Sequence, residues 1–340
     1  VQYFYNYQDY LLEYKRYKLK KDTNKIGFLL VLYFVATSVV SFFALFAVII
    51  PSILSGFDTS NSTNAAEAIL EDSTFVLILS GFVSLVCFFF VSLLFCLMTK
   101  ADLGKVLPLQ KTNIKMLYLI CTFGLGICMV SNYVSELLLS IFEMFGIDAS
   151  INMEFKCEGV LDIVLYYITV AVIPALVEEF AFRGVVLNTF RKHSDKLAVL
   201  VSGITFGLMH GNFTQIPFAT VVGLVLGYIA VKTNSLVPGI IIHFLNNALS
   251  VTMTLISEHT ALSDFTINIL NVALTLIVCA LGLISFIILA KKHKGFFVLK
   301  DKEDELQYKE KIKAVTSNAW IIIFTILMLS EAVLTIFLEV

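Results

Sequence analysis

Residues 160–190 read VLDIVLYYITVAVIPALVEEFAFRGVVLNTF. This stretch decides the fold. It is long enough, at ~1.5 Å per residue, to cross a hydrocarbon core about 30 Å thick. From Ile163 to Val177 it carries no charge. Then two adjacent carboxylates, Glu178 and Glu179, and a guanidinium, Arg183, appear inside the same apolar segment. A charge placed mid-helix in a membrane costs roughly 2.5–3.5 kcal/mol on insertion scales, so such residues face a bundle interior and mark a function.

The rest of the chain reads the same way. Of its 340 residues, 58% are hydrophobic and 15% charged, where a soluble chain has about 25% charged. The net charge of −2 gives no support to nucleic acid as a partner. A spanning-length window predicts an all-α, polytopic transmembrane helix bundle of about nine spans: Ile26–Leu54, Thr74–Met98, Met116–Phe145, Val160–Phe190, Leu197–His210, Thr214–Val231, Leu236–Ile256, Ile267–Ala290 and Ala319–Leu338. The fifth is the shortest. The organisation expected is a cytoplasmic segment 1–25, three helices within 26–145, core helices four to seven within 160–256, an eighth helix at 267–290, a lysine-rich cytoplasmic linker at 291–317 and a ninth helix at 319–338.

Lysine and arginine alternate between loops. They collect before span one (Lys15 to Lys25), after span two (Lys100 to Lys115), after span four (Arg191, Lys192, Lys196), after span six (Lys232) and after span eight (Lys291 to Lys313). The intervening loops hold only Lys156. This predicts a cytoplasmic amino terminus and an external carboxyl terminus. The linker, with Lys300-Asp301-Lys302-Glu303-Asp304-Glu305, reads as solvated or as a short surface helix. Gly56–Ser73 reads as a polar connector. Of six cysteines only Cys157 falls in a loop, so no disulfide framework is expected. The polar, aromatic first 25 residues do not read as a cleavable signal peptide, and the ending Ile336-Phe337-Leu338-Glu339-Val340 contains no lipidation box.

Polar groups within spans concentrate on the fourth, fifth and seventh. Glu179 and Arg183 are i, i+4 and can pair. Pro174 can kink the helix just before them. Glu178 is rotated by about 100° from Glu179 and needs another partner. A buried ion-pair staple explains Glu179 and Arg183 but leaves Glu178 over. Span five ends in Phe206-Gly207-Leu208-Met209-His210, and span seven holds His243 and Asn247 on one face. Taken singly, each of these is the kind of residue that caps a helix or packs two together. Their depths argue otherwise. Glu178 lies roughly 20 Å from Arg191, His210 roughly 21 Å from Lys196, and Asn247 somewhat less than ~22 Å from Lys232, with His243 one turn nearer the cytoplasm.

A carboxylate, two imidazoles and a carboxamide in a dry cavity suit hydrolysis. Glu178 can take a proton from water and pass it to a leaving amine. Asn247 with a histidine can donate to an oxyanion, and the other imidazole can orient the water. Alternatively, Glu178, His210 and His243 supply the two nitrogens and one oxygen of a catalytic zinc with an open fourth position. Metal-free and zinc-dependent chemistry both stay open, although the H-E-x-x-H helix of soluble zinc proteases is absent. A serine nucleophile is less well supported, since no G-x-S-x-G elbow occurs.

These motifs resemble the CAAX prenyl protease and bacteriocin-processing family, the type II CAAX protease or Abi family. Its pattern runs E-E-x-x-x-R, F-x-x-x-H and H-x-x-x-N on successive membrane helices. Here that is Glu178-Glu179 with Arg183, Phe206 with His210, and His243 with Asn247, over about Asp162–Val251. The resemblance implies an intramembrane endopeptidase, of metallo- or glutamate type, with its cavity open to the cytoplasm. It implies that Glu178 activates water with help from His210, and that His243 and Asn247 stabilise the oxyanion. Glu179, Arg183 and Phe206 would be supporting residues. Implied partners are a peptide or protein substrate, lipid-modified in some relatives, and membrane lipids. A bacterial plasma membrane is the implied location. Two other readings are a non-enzymatic scaffold or bacteriocin self-immunity protein, and a proton-coupled transporter. The transporter would call for an inverted repeat, and none is visible.

Overall fold

A computed structural model describes residues 7–54, 73–147, 157, 159–299 and 306–338. Lys156, most of the connector Gly56–Ser73, the charge alternation at Lys300–Glu305 and the last two residues lie outside them. Among the described residues no strand forms, only an isolated antiparallel bridge between Leu109 and Ser235. The helices are α1 (Tyr7–Leu54), α2 (Thr74–Thr99), α3 (Ile114–Met144), α4 (Val160–Phe190), α5 (Asp195–Leu208), α6 (Gln215–Thr233), α7 (Val237–His259), α8 (Asp264–Lys292), α9 (Tyr308–Thr316) and α10 (Ala319–Leu338).

Eight of these are long and apolar enough to cross a membrane, and the chain is a multi-pass membrane protein. Their outward faces carry large apolar side chains such as Phe43, Phe90, Leu276 and Leu283. Water would penalise such faces. Acyl chains do not, and a helix satisfies its own backbone in lipid.

The fifth predicted span is the exception in length. It appears as α5, only 14 residues or about 21 Å, capped by the Ser194 hydroxyl accepting from Leu197 N. Its stability comes from packing. Gly203 and Gly207 face α6, where Gly223 lies so close that a Cβ on it would stand 2.9 Å from the Gly203 Cα. Small residues let the two backbones meet. The α5–α6 hairpin leaves and returns at one end of the bundle, where Arg191 Nη1 donates to Asn234 Oδ1 at 2.9 Å.

That end also gathers the other basic segments. Arg16 pairs with Glu310 at 3.0 Å, and His193 with Asp22 at 2.9 Å. Lys232 Nζ donates to the Gly295 and Val298 carbonyls, Lys311 Nζ to that of His193, and Leu236 N to that of Pro108. The loops in which lysine and arginine collect therefore share one end.

The two segments expected at the cytoplasmic side both contain helix. The first helix runs without a break from Tyr7, so most of the 1–25 segment extends the first span. Within the linker, α9 lies against the bundle with Lys311 buried. All six cysteines are free, Cys157 being buried.

Candidate active site

The site is built where α4 changes its winding. Two π-helical stretches, Tyr167–Val172 and Glu179–Leu187, flank a short α segment, Ile173–Glu178. π-turns cluster at functional sites because they re-aim side chains within a helix. Pro174 stands at the start of that α segment. Lacking an N–H, it cannot serve the carbonyl four residues back, which belongs to Val170. Asn247 Nδ2 on α7 fills that need, donating to Val170 O at 3.0 Å.

Below this staple, His243 stands between the two glutamates. Its Nδ1 is 3.4 Å from Glu179 Oε1, and its Nε2 is 3.8 Å from Glu178 Oε2. The two carboxylates differ in access. Glu179 is 0% exposed and the Glu178 side chain 17%, so Glu178 is the one open to a small molecule from outside the protein core. Glu179 Oε1 also accepts from Arg183 Nη1 at 2.8 Å, as the i, i+4 spacing requires. Arg183 Nη2 donates to Gly223 O on α6 at 3.2 Å.

Phe206 joins these elements. Its ring lies 4.3 Å beneath the Arg183 guanidinium, a cation–π contact. It meets the rings of Phe182, His210 and His243 edge-on, at 5.2, 5.1 and 5.9 Å. His210 lies past the end of α5, where Gly211 turns the chain with φ +63°. His210 Nδ1 is 2.9 Å from Phe206 O. A carbonyl only accepts, so Nδ1 holds the proton and Nε2 is the nitrogen left for water. Glu178, His243 and Arg183 all lie within electrostatic reach of His210. Asn212 fixes the turn, donating to His210 O and accepting from Thr214 Oγ1 and Gln215 N.

The motif residues of α4, α5 and α7 thus converge, but not as one flat layer. His243 faces both glutamates, whereas Asn247 meets α4 at Val170, eight residues before Glu178. Counting residues along straight helices places Asn247 level with Glu178. In the structure the contact that Asn247 makes with α4 is the one to Val170 O. The zinc alternative would draw on Glu178, His210 and His243. Among the described residues no three His, Cys, Asp or Glu side chains come together as a metal site.

The segment that carries this geometry has a match. Residues 160–249 match the Rce1-like family, described as type II CAAX prenyl endopeptidase Rce1-like. No curated protein and no solved structure matches the chain. The Rce1-like segment covers about a quarter of the chain, and the family it matches is one of peptidases acting in membranes. All seven motif residues fall inside it.

Three contributors to the site are absent from the sequence expectation. Gly239 lies one turn before His243, in a G-x-x-x-H-x-x-x-N spacing that was there to read. The Val170 carbonyl is signalled only by Pro174. Glu331, a lone charge in the last span, packs against Gly211 from α10, with its Oε2 3.0 Å from where a Cβ would stand.

Proposed function

We propose that this chain is an intramembrane endopeptidase that hydrolyses peptide bonds with Glu178, His210, His243 and Asn247. The observation that carries the reading is the pair of approaches from His243 to Glu178 and Glu179, made by residues within the Rce1-like segment. Structural staples have no need to turn a second, partly exposed carboxylate toward an imidazole.

In this mechanism Glu178 takes a proton from a water that His210 Nε2 orients, and the water oxygen bonds to the scissile carbonyl carbon. The resulting oxyanion is met by the second N–H of Asn247 and by His243, whose Nε2 receives the water's proton from Glu178 and so becomes an N–H donor. Collapse breaks the C–N bond, and the proton returns through Glu178 to the departing amine. The products are a carboxylate and an amine. The substrate class is a peptide or protein segment, including a prenylated CAAX carboxyl terminus. The basic end faces the cytoplasm, which puts the amino terminus inside and the carboxyl terminus outside. The location is a bacterial plasma membrane.

The test is cleavage of a farnesylated CAAX peptide by the purified chain, followed by mass spectrometry. Glu178→Ala and His210→Ala each abolish cleavage while expression and membrane insertion persist. Cleavage by Glu178→Ala at the parent rate would remove Glu178 from its role. One observation favours a scaffold instead: Asn247 is already engaged by Val170 O, which is a packing role. Under that reading Glu178→Gln leaves the biological effect of the chain intact.

A further inference from the structure

Gly239 belongs to none of the motifs, yet it shares a face of α7 with His243 and Asn247, at i, i+4 and i+8. A Cβ built on it would come within 2.7 Å of Glu179 Oε2. The bare Cα is therefore the floor on which that carboxylate rests. Glu179 is fully buried, and Oε2 has no hydrogen-bond partner among the described residues. A staple alone would use both oxygens, because a guanidinium and a carboxylate can bond as two parallel forks. Arg183 does not do this. It gives Nη1 to Oε1, sends Nη2 to Gly223 O and leaves Nε without a partner. The carboxylate is turned so that Oε1 serves Arg183 and also faces His243 Nδ1, 3.4 Å away.

A carboxylate held by a guanidinium only accepts, so the imidazole proton on that side stands on Nδ1. Neutral imidazole left to itself carries its proton on either nitrogen. We infer that Glu179 is a positioning residue that fixes the tautomer and orientation of His243, keeping Nε2 turned toward Glu178, and that Gly239 is the residue that makes room for it. The role given to Nε2 rests on the endopeptidase reading. The tautomer does not.

The experiment uses the full chain in detergent, labelled with 15N-histidine, with the His243 signals identified by their loss in His243→Gln. The parent shows a protonated Nδ1. Glu179→Gln, which keeps an oxygen in the place of Oε1, retains it. Gly239→Ala, whose Cβ displaces the carboxylate, loses it. On the farnesylated CAAX peptide, Gly239→Ala lowers kcat by about 100-fold, the scale of an ångström-sized misplacement, with KM little changed. A parent spectrum with a bare Nδ1 and a protonated Nε2 overturns the inference even if no variant folds. So does a Gly239→Ala spectrum identical to the parent's. A parent chain that cleaves no peptide counts against the proposed activity alone, since the spectrum still decides the role of Glu179.

Discussion

Replacing Arg183 with Met tests whether the buried pair is as isolated from water as its geometry implies. Both partners are 0% exposed, 2.8 Å apart. The change keeps most of the side-chain volume but removes the donor to Glu179, the donor to Gly223 O and the cation over Phe206. What remains is a carboxylate with no counter-charge in an apolar interior. Breaking a buried pair on one side costs about 3–5 kcal/mol, whereas replacing both partners by apolar residues is often close to neutral. Arg183→Met is therefore expected to lose about 3–5 kcal/mol, and Glu179→Leu with Arg183→Met to recover at least half of it. Unfolding in mixed SDS micelles measures both. The fluorescence of Trp320, the single tryptophan, is a suitable probe, because its contact with Phe28 joins α10 to α1 rather than lying within the site. A loss below about 1 kcal/mol, the worth of an exposed pair, would refute the reasoning. So would a double variant as unstable as the single one.

Asn247→Ala strips the Val170 carbonyl of its donor, at a cost of about 1–3 kcal/mol, and lowers kcat by about 100-fold or more if the amide also serves the oxyanion. Adding Pro174→Ala restores a backbone N–H for Val170, so thermal stability recovers in the pair while kcat does not. Gly126→Val forces α3 away from α8, where a Cβ would stand 3.0 Å from the Gly282 Cα, and costs about 1–3 kcal/mol by overpacking, read as a lower unfolding midpoint. Gly211→Ala meets both a left-handed backbone and the Glu331 carboxylate 3.0 Å from its Cβ. The left-handed backbone alone costs about 1–2 kcal/mol, and since His210 is the neighbouring residue, peptide cleavage falls further than that loss of stability accounts for.

Much of the fold was legible because lipid imposes length. Eight apolar blocks correspond to helices of spanning length, with ends within a few residues of those expected, apart from the first helix, which begins as early as Tyr7. Glu179 and Arg183 pair as their spacing predicts, and Gly203, Gly207 and Gly223 seat α5 on α6 through absence of side chain. Other features had no signal of their own. Whether α4 winds as α or π depends on which carbonyl each N–H finds after packing, so periodicity could not show that Glu178 and Glu179 reach opposite nitrogens of one ring. Depth counting placed the polar groups at similar levels but could not show that Asn247 would give an N–H to the Val170 carbonyl. The docking of α9 uses Lys311 on the His193 carbonyl and Glu310 on Arg16, each across more than a hundred residues of chain, which local pattern does not encode.

The first and last membrane helices lie side by side: Trp320 sits over Gly27, where a Cβ would be 2.7 Å from its own, and Asn318 bonds to Asn24. In a chain threaded into the bilayer from its amino terminus, α1 must wait through the synthesis of nearly three hundred residues for its neighbour. Until then the seam along Gly27 stays open to lipid or to an insertion chaperone. A product cut short before residue 319 would hold every motif residue and still leave the Gly27 face of α1 without its partner, giving membrane quality control a seam to detect.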